Sequence, residues 1–432
     1  MNNRESVISW IQGLPEYTKS EFKKCKLLHQ EQQLAGPIAS LETSDKNRMV
    51  STPKRRRLEG SDSGLGPDAT PHAFVGSISS FSDTISMTSG KSGRSGPPSP
   101  TKQIALLRLS GEMEIRSLDI HRFPKLAGTD SLLQSIEEIG RCVNILPYCM
   151  KSTVEKKVAD LGALAKPWST SFQSPENADD LPGCIPSFEE VDSVLKLAAR
   201  CQEDECEEAA WNCDVHMALL RNVFGDAEKK INAMLCNTAR PSKYFKPTSP
   251  TGQLIDTCIY KTVEQDEGLT NKITRFCADS QTNNSINHTD YNPLRTRPLL
   301  LSIKSTKPET GKEALLQIGV WYSTQWSFLR WAVGQRLKKR AKLEAHETTA
   351  EVEADTLASL SRLAFIPGII VHGHRWCMVL STYDDKKTTL WGEHQFGTTS
   401  SFLGTFCAIA GIRRLTAWAN DHYWPWFEKN VL

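Results

Sequence analysis

Residues 297–308 read RPLLLSIKSTKP, and residues 316–329 follow as LQIGVWYSTQWSFL. The first is a run of leucines and β-formers from Pro298 to Thr306, closed by Lys307-Pro308, which predicts a buried strand. In the second, Leu315, Ile318, Trp321, Tyr322, Phe328 and Leu329 spread around a helix from Glu313 to Val333, as expected of a helix buried on more than one side. On the N-terminal side, LIDTCIYK (254–261) is a short apolar stretch bounded by KPTSPTGQ, which fits another buried strand, with Asp256 inside it. On the C-terminal side, Phe365 to Phe396 reads as three extended pieces, with Asp384-Asp385-Lys386-Lys387 as a hairpin turn. A last helix spans about Ser401 to Ala419. The order helix, strand, strand, helix, strand predicts an α/β fold, a mixed sheet with helices packed on it.

Upstream, apolar residues at helical spacing predict a helix from Asp130 to Val143. Ser187-Phe188-Glu189-Glu190 reads as a capping box that opens a helix toward Ala199. Ala209, Trp211, Val215, Leu219, Leu220 and Phe224 recur on one side of a longer helix, expected from about Asp204 to Leu235.

The whole chain has 432 residues, 52 Lys+Arg against 50 Asp+Glu, 39% hydrophobic and 24% charged residues. That is too polar for an integral membrane protein and too apolar for disorder throughout, and its length alone suggests two or three domains. A net charge of +2 excludes a uniformly basic nucleic-acid coat, so any such contact must come from local clusters. The first ten residues, MNNRESVISW, contain no apolar signal region, and no run of about 18 apolar residues occurs. The expectation is an intracellular protein without a membrane partner. Its 12 cysteines include no Cys-x-x-Cys pair and read as reduced, mostly buried thiols.

About half of residues 36–101 are Ser, Thr, Gly or Pro, so this segment is expected to be a disordered tail. Residues 1–35 form a short N-terminal segment in which Glu5 to Leu28 is a possible helix, interrupted by Pro15. Within the tail, Lys54, Arg55, Arg56 and Arg57 make a compact basic block of the kind that nuclear import receptors read, so the nucleus is the expected location and the cytoplasm the alternative. Thr52-Pro53 and Ser99-Pro100 read as proline-directed phosphorylation sites. Residues 102–432 are expected to be folded, with a helical part at about 130–200.

The candidate chemistry lies at Glu208 on a helix, Asp256 in a strand, and Lys304 to Lys307 on the next strand. Carboxylates converging at one sheet edge are what a magnesium-dependent phosphodiesterase needs, because hard oxygen ligands hold the ion, which in turn activates water. As spacing alone this is weak, since acids on helices and strands usually form solvated or paired sites.

Taken together, EAAWNCDVH (208–216), LIDTCIY, INHTDYNPL (286–294), RPLLLSIKSTKP and LQIGVWYSTQWSFL resemble the PD-(D/E)XK nuclease-like domain family of fungal proteins. The resemblance extends from about Asp130 to the C-terminus. It implies a restriction-endonuclease-like αβββαβ core and metal-dependent hydrolysis of nucleic-acid phosphodiesters, with Mg2+ or Mn2+ as cofactor and DNA favoured over RNA as partner. By that template Glu208 is the helix acid and Asp256 the strand Asp, the two holding the metal. Gln317 with Trp321 is an accessory pair on the following helix. Laying SIKSTKP on the family's SIETKRP puts Lys304 where the metal-binding Glu belongs and Thr306 where the lysine belongs.

An ammonium in place of a carboxylate reverses the charge facing a cation, and a threonine hydroxyl cannot replace a lysine at the phosphate. Hydrolysis is therefore expected to be weakened, unless Glu208 and Asp256 alone hold magnesium while Lys304 or Lys307 reaches the phosphate. The alternative is an inactive nuclease-fold module that binds nucleic acid or a protein partner in the nucleus.

Other clusters carry weaker signals. Cys201, Cys206, Cys213 and His216 are soft ligands for zinc, but this helix lacks the turn-borne cysteine pair of zinc modules. His372 and His374 alternate on a strand-like piece and point to one side without a visible third ligand. Arg336, Lys338, Lys339, Arg340 and Lys342 suit phosphate, although Glu344, Glu347, Glu351 and Glu353 follow at once, so two solvated helices pairing with each other is the plainer reading. Eight of 11 tryptophans lie after residue 320; they suit base stacking or, more often, a core.

Overall fold

A computed structural model describes residues 98–432, apart from 121–122, 125–128, 161, 163–165, 178, 226–229, 248–254, 280–283, 308–309 and 345–347, and apart from the side chains of 342–344. The N-terminal segment, most of the expected tail, the basic block Lys54 to Arg57 and Thr52 lie outside the described residues. Helix α1 (Pro100–Leu109) begins one residue before the expected end of the tail, with Ser99 at its N-cap and Pro100 in its first turn, where a missing N–H costs nothing.

Seven strands form one mixed sheet. They are β1 (Met113–Ser117), β2 (Ile231–Leu235), β3 (Thr257–Lys261), β4 (Leu299–Thr306), β5 (Ile366–His372), β6 (Arg375–Asp384) and β7 (Lys387–Thr398). Their order is β1-β7-β6-β5-β4-β3-β2. β2, β3 and β4 run antiparallel in a meander; β4 and β5 are parallel, with Lys304 opposite Ile370 and Thr306 opposite His372. All eight residues of β4 and all seven of β5 are buried, as befits a parallel pair covered on both faces.

The crossover between them is α7 (Gly311–Glu344) followed by α8 (Thr349–Ser361). Ahead of these come α2 (Thr129–Gly140), α3 (Lys151–Asp160), α4 (Phe188–Glu203), an interrupted helix α5 and α6 (Glu267–Asp279). α5 consists of Glu208–Ala210, a π-helical Trp211–His216 and Met217–Phe224. The chain ends in α9 (Phe402–Trp418), a π turn (Ala419–Tyr423) and α10 (Trp424–Asn430). From α5 through β2, β3, β4 and α7 to β5, this is the expected αβββαβ core.

α7 is longer than expected, about 50 Å at 1.5 Å per residue. Its first half is buried on several sides, and its aromatic polar atoms are satisfied inside: Trp321 Nε1 donates to Ser302 Oγ at 2.9 Å, Trp326 Nε1 to Ser381 Oγ at 2.8 Å and Tyr322 Oη to the Pro367 carbonyl at 2.9 Å. Tyr322 lies so close to β5 that a Cβ at Gly368 would stand 2.1 Å from its hydroxyl. The tryptophans at 321, 326 and 376 are thus core, not exposed platforms for bases.

The capping box of α4 is present, Ser187 Oγ accepting from the Glu190 N–H and Glu190 Oε2 from the Ser187 N–H. Asp385 and Lys386 turn between β6 and β7 with φ of 44° and 66°, both left-handed, as a two-residue hairpin requires. The single helix expected from Asp204 to Leu235 is not formed. The chain turns after Glu203, restarts at Glu208 and leaves the helix at Phe224, and Ile231–Leu235 is a strand paired with β3. Strand pairing outweighs the helical preference of Ala233, Met234 and Leu235, a case of tertiary context deciding.

Candidate functional site

Asp256 sits one residue before β3, not within it. Its N–H donates to the Ile303 carbonyl at 3.1 Å and its carbonyl accepts from Cys236 N at 2.8 Å, which fixes it between β4 and the end of β2. Lys304, in the middle of β4, points to it: Nζ is 2.7 Å from Asp256 Oδ2 and 3.0 Å from Glu208 Oε1. The same Oδ2 accepts the Ser305 N–H at 2.8 Å. The Lys304 and Asp256 side chains are each 6% exposed and that of Glu208 36%.

Burial pushes the Asp256 carboxyl up to about 6, against the pull of Lys304, with the negative Glu208 adding to the rise. Burial disfavours charge on Lys304 as well, but the attraction of Asp256 and Glu208 outweighs it and raises the ammonium above its ordinary value. At neutral pH the site is a cation held between two anions.

Glu208 is brought there by the opening turn of α5. The π-helical segment behind it is fastened by His216, whose Nδ1 is 3.1 Å from Ser305 Oγ and whose Nε2 is 3.0 Å from the Gly373 carbonyl. Burial pushes His216 down to about 4, so it is a neutral imidazole that donates to Gly373 and accepts from the Ser305 hydroxyl. Helix, β4 and the β5–β6 turn are tied by one ring. This corrects the zinc reading: both ring nitrogens of His216 are engaged in hydrogen bonds, and Cys213 is exposed while Cys201 is buried.

Thr306 Oγ1 lies 2.5 Å from Thr310 Oγ1, which donates onward to the Lys307 carbonyl at 3.1 Å. Lys307 Nζ pairs with Glu207 Oε2 at 2.8 Å on the surface. Gln317 Nε2 donates to Glu313 Oε1 at 3.1 Å, and its Oε1 is buried without a hydrogen-bond partner. Glu208, Asp256, Lys304, Thr306, Lys307 and Gln317 all line one cleft of about 630 Å3. The accessory partner expected of Gln317 is elsewhere: Trp321 is fully buried, bonded to Ser302 and packed edge-on to His288 with ring centroids 4.3 Å apart.

A divalent cation between Glu208 and Asp256 would meet the Lys304 ammonium already hydrogen-bonded to both. Displacing it would bury two positive charges side by side, so the residues present do not fit the metal. The arrangement in which both acids hold magnesium while Lys304 or Lys307 reaches a phosphate is likewise not formed, because Lys304 faces the acids and Lys307 faces Glu207. Sequence reasoning missed Glu207, Thr310 and the Ser305 N–H; the last is a backbone group and carries no signal in the side-chain pattern.

His372 and His374 do not alternate on one strand, although both line one pocket. His372 ends β5 and its Nε2 is 2.9 Å from Glu393 Oε1, whereas His374 lies in the turn beyond, with Nδ1 3.1 Å from Thr399 Oγ1 and Nε2 2.5 Å from Gln202 Oε1. The basic run and the acids after it lie on two helices that pack on each other, α7 and α8, as the plainer reading expects. Arg336, Lys338, Lys339 and Arg340 continue α7, Lys339 pairs with Asp279 at 2.8 Å, and Arg336 Nη1 donates to the Glu428 carbonyl at 3.4 Å. An ion pair joins the two helices, Glu353 of α8 with Arg330 of α7, and Glu351 caps its own helix.

A family model described as PD-(D/E)XK nuclease superfamily matches residues 154–424, from α3 to the first residue of α10. Nucleases of this superfamily typically use divalent metals. No curated protein matches the chain, and no solved structure does.

Proposed function

The chain belongs to the PD-(D/E)XK nuclease superfamily, and we propose that it is a member whose metal seat is filled by its own lysine, leaving a nuclear module that binds nucleic acid without cutting it. The observation that carries this reading is the Lys304 ammonium, 2.7 Å from Asp256 and 3.0 Å from Glu208. It neutralises the acids that a hydrolytic metal would need, and Thr306 leaves the phosphate without its lysine.

A second cleft supports the binding half of the proposal. A cavity of about 590 Å3 is lined by Tyr244, Lys246, Arg330, Trp331, Lys338 and Lys386, drawn from the segment after β2, from α7 and from the β6–β7 turn. Its one acid, Glu353, is paired with Arg330. Surplus positive charge beside an exposed tyrosine suits the phosphate and base of a single strand. Among the described side chains of the basic run, Lys338 reaches this cavity. DNA is the partner this reading favours, and the block from Lys54 to Arg57 would bring the chain to it by an import receptor.

The test incubates the full chain with labelled single-stranded and duplex DNA and RNA, with and without magnesium or manganese, beside Asp256→Ala. Salt-sensitive binding without cleavage, and no metal-induced rise in melting temperature, is expected. Cleavage that vanishes in Asp256→Ala would sink the proposal.

A further inference from the structure

Next to Thr306 on the sheet, three metal-ligating side chains from three adjacent strands converge: His372 of β5, Cys377 of β6 and Glu393 of β7. A nitrogen, the sulfur and an oxygen of these residues all lie within 4.8 Å of one another. His372 Nε2 and Glu393 Oε1 already touch at 2.9 Å. Among the described residues no other group of three or more His, Cys, Asp and Glu side chains comes together in this way.

The strand registers explain the convergence. Cys377 pairs with Ile370, so His372, two residues along β5, shares its face. In an unbroken ladder Val379 opposite Gly392 would set Glu393 opposite Met378, on the far face from Cys377. The ladder is broken: Met378 pairs with His394 and Cys377 with Gln395, so Glu393 is an extra residue with no partner across from it. A bulge of this kind re-aims a side chain, and here it turns a carboxylate in toward a thiol and an imidazole. His372 and Cys377 are buried, while the Glu393 side chain is 20% exposed and gives the site its mouth.

We propose that His372 Nε2, Cys377 Sγ and a Glu393 carboxylate oxygen bind one zinc ion, with water as the fourth ligand. Imidazole, thiolate and carboxylate are all zinc ligands, and three protein ligands with one open position is a tetrahedral arrangement that zinc adopts. Charge balances: the ion displaces the thiol proton of Cys377 to solvent, and thiolate plus carboxylate then neutralise two positive charges. The proton between Nε2 and Glu393 moves to Nδ1 as Nε2 turns its lone pair to the metal. The site adjoins the seat that Lys304 fills but shares no ligand with it, and it does not depend on the function proposed for that seat.

Cobalt(II) is the probe. The full chain, freed of metal by a chelator, is titrated with cobalt while the near-ultraviolet thiolate-to-cobalt charge-transfer band is read, and zinc is then added. The expected result is a band that saturates at one equivalent and collapses on addition of zinc. Cys377→Ser should abolish it, and Glu393→Gln, at the partly exposed mouth, should weaken cobalt binding by about tenfold or more while the melting temperature stays near that of the parent. Cys213→Ser should leave the band unchanged. No band in the parent chain, or a band that survives both Cys377→Ser and Glu393→Gln, would overturn the proposal.

Discussion

Lys304 Nζ and Asp256 Oδ2 are 2.7 Å apart, with both side chains 6% exposed. An ion pair so placed is costly to desolvate, and its value lies in what happens when one partner is removed.

Lys304→Met should lower stability by about 3–5 kcal/mol at pH 8, because it leaves Asp256 charged and buried beside Glu208. Without the lysine the carboxyl titrates above its present value of about 6, and taking up a proton relieves the strain. Urea unfolding of the variant should therefore show a much smaller loss at pH 5 than at pH 8. Equal losses at both would mean that the pair is not the source of the effect.

In the parent chain Asp256 titrates at about 6 when folded, against 3.8 ordinarily. Between these values the folded chain keeps a proton that the unfolded chain has released. Stability from this group is thus full below 3.8 and lost as pH rises through 6. The difference in unfolding free energy between parent and Asp256→Asn should fall over that window, and a difference that rises with pH would reverse the assignment.

Restoring the family pattern should restore the metal. Lys304→Glu with Thr306→Lys gathers three carboxylates and returns a lysine to the phosphate side. Magnesium should then raise the melting temperature of the double variant but not of the parent, and labelled DNA should be cut. A metal response without cleavage would locate the remaining deficit outside these two positions.

Lys246→Glu with Lys338→Glu should weaken binding of a single-stranded oligonucleotide and flatten its dependence on log salt by about 1.4, at about 0.7 for each phosphate no longer neutralised. Binding measured by fluorescence anisotropy across a salt series decides this; an unchanged slope would remove the cavity from the interface.

Lys386 carries a φ of 66°, where a side chain costs energy and glycine does not. Lys386→Gly should stabilise the fold by about 0.5–1 kcal/mol in urea unfolding.

Much of this was legible in the chain. Leu299 to Thr306, the buried first half of α7 and the turn at Asp385-Lys386 each carry a local pattern that agrees with the final structure. The strand at Ile231–Leu235 was not, because its residues read equally well as the tail of a helix until a neighbouring strand pairs with them. The site divides the same way. Motif position alone places Lys304 where an acid belongs, but its double contact with Asp256 and Glu208 depends on how three elements meet. Glu393 was invisible, since a bulge belongs to the pairing of two strands and to neither sequence by itself.

The wide turn from Trp211 to His216 has its own consequence. A π turn holds one residue more than an α turn can, and each residue of a helix swings the next by about 100°. Glu208 lies ahead of that turn, while the apolar side chains from Met217 to Phe224 lie behind it in the core. The bearing of the acid is therefore set by the length of the chain between them. Deleting a single residue there would leave the packed half seated and rotate Glu208 away from Lys304, with no change to any residue of the site.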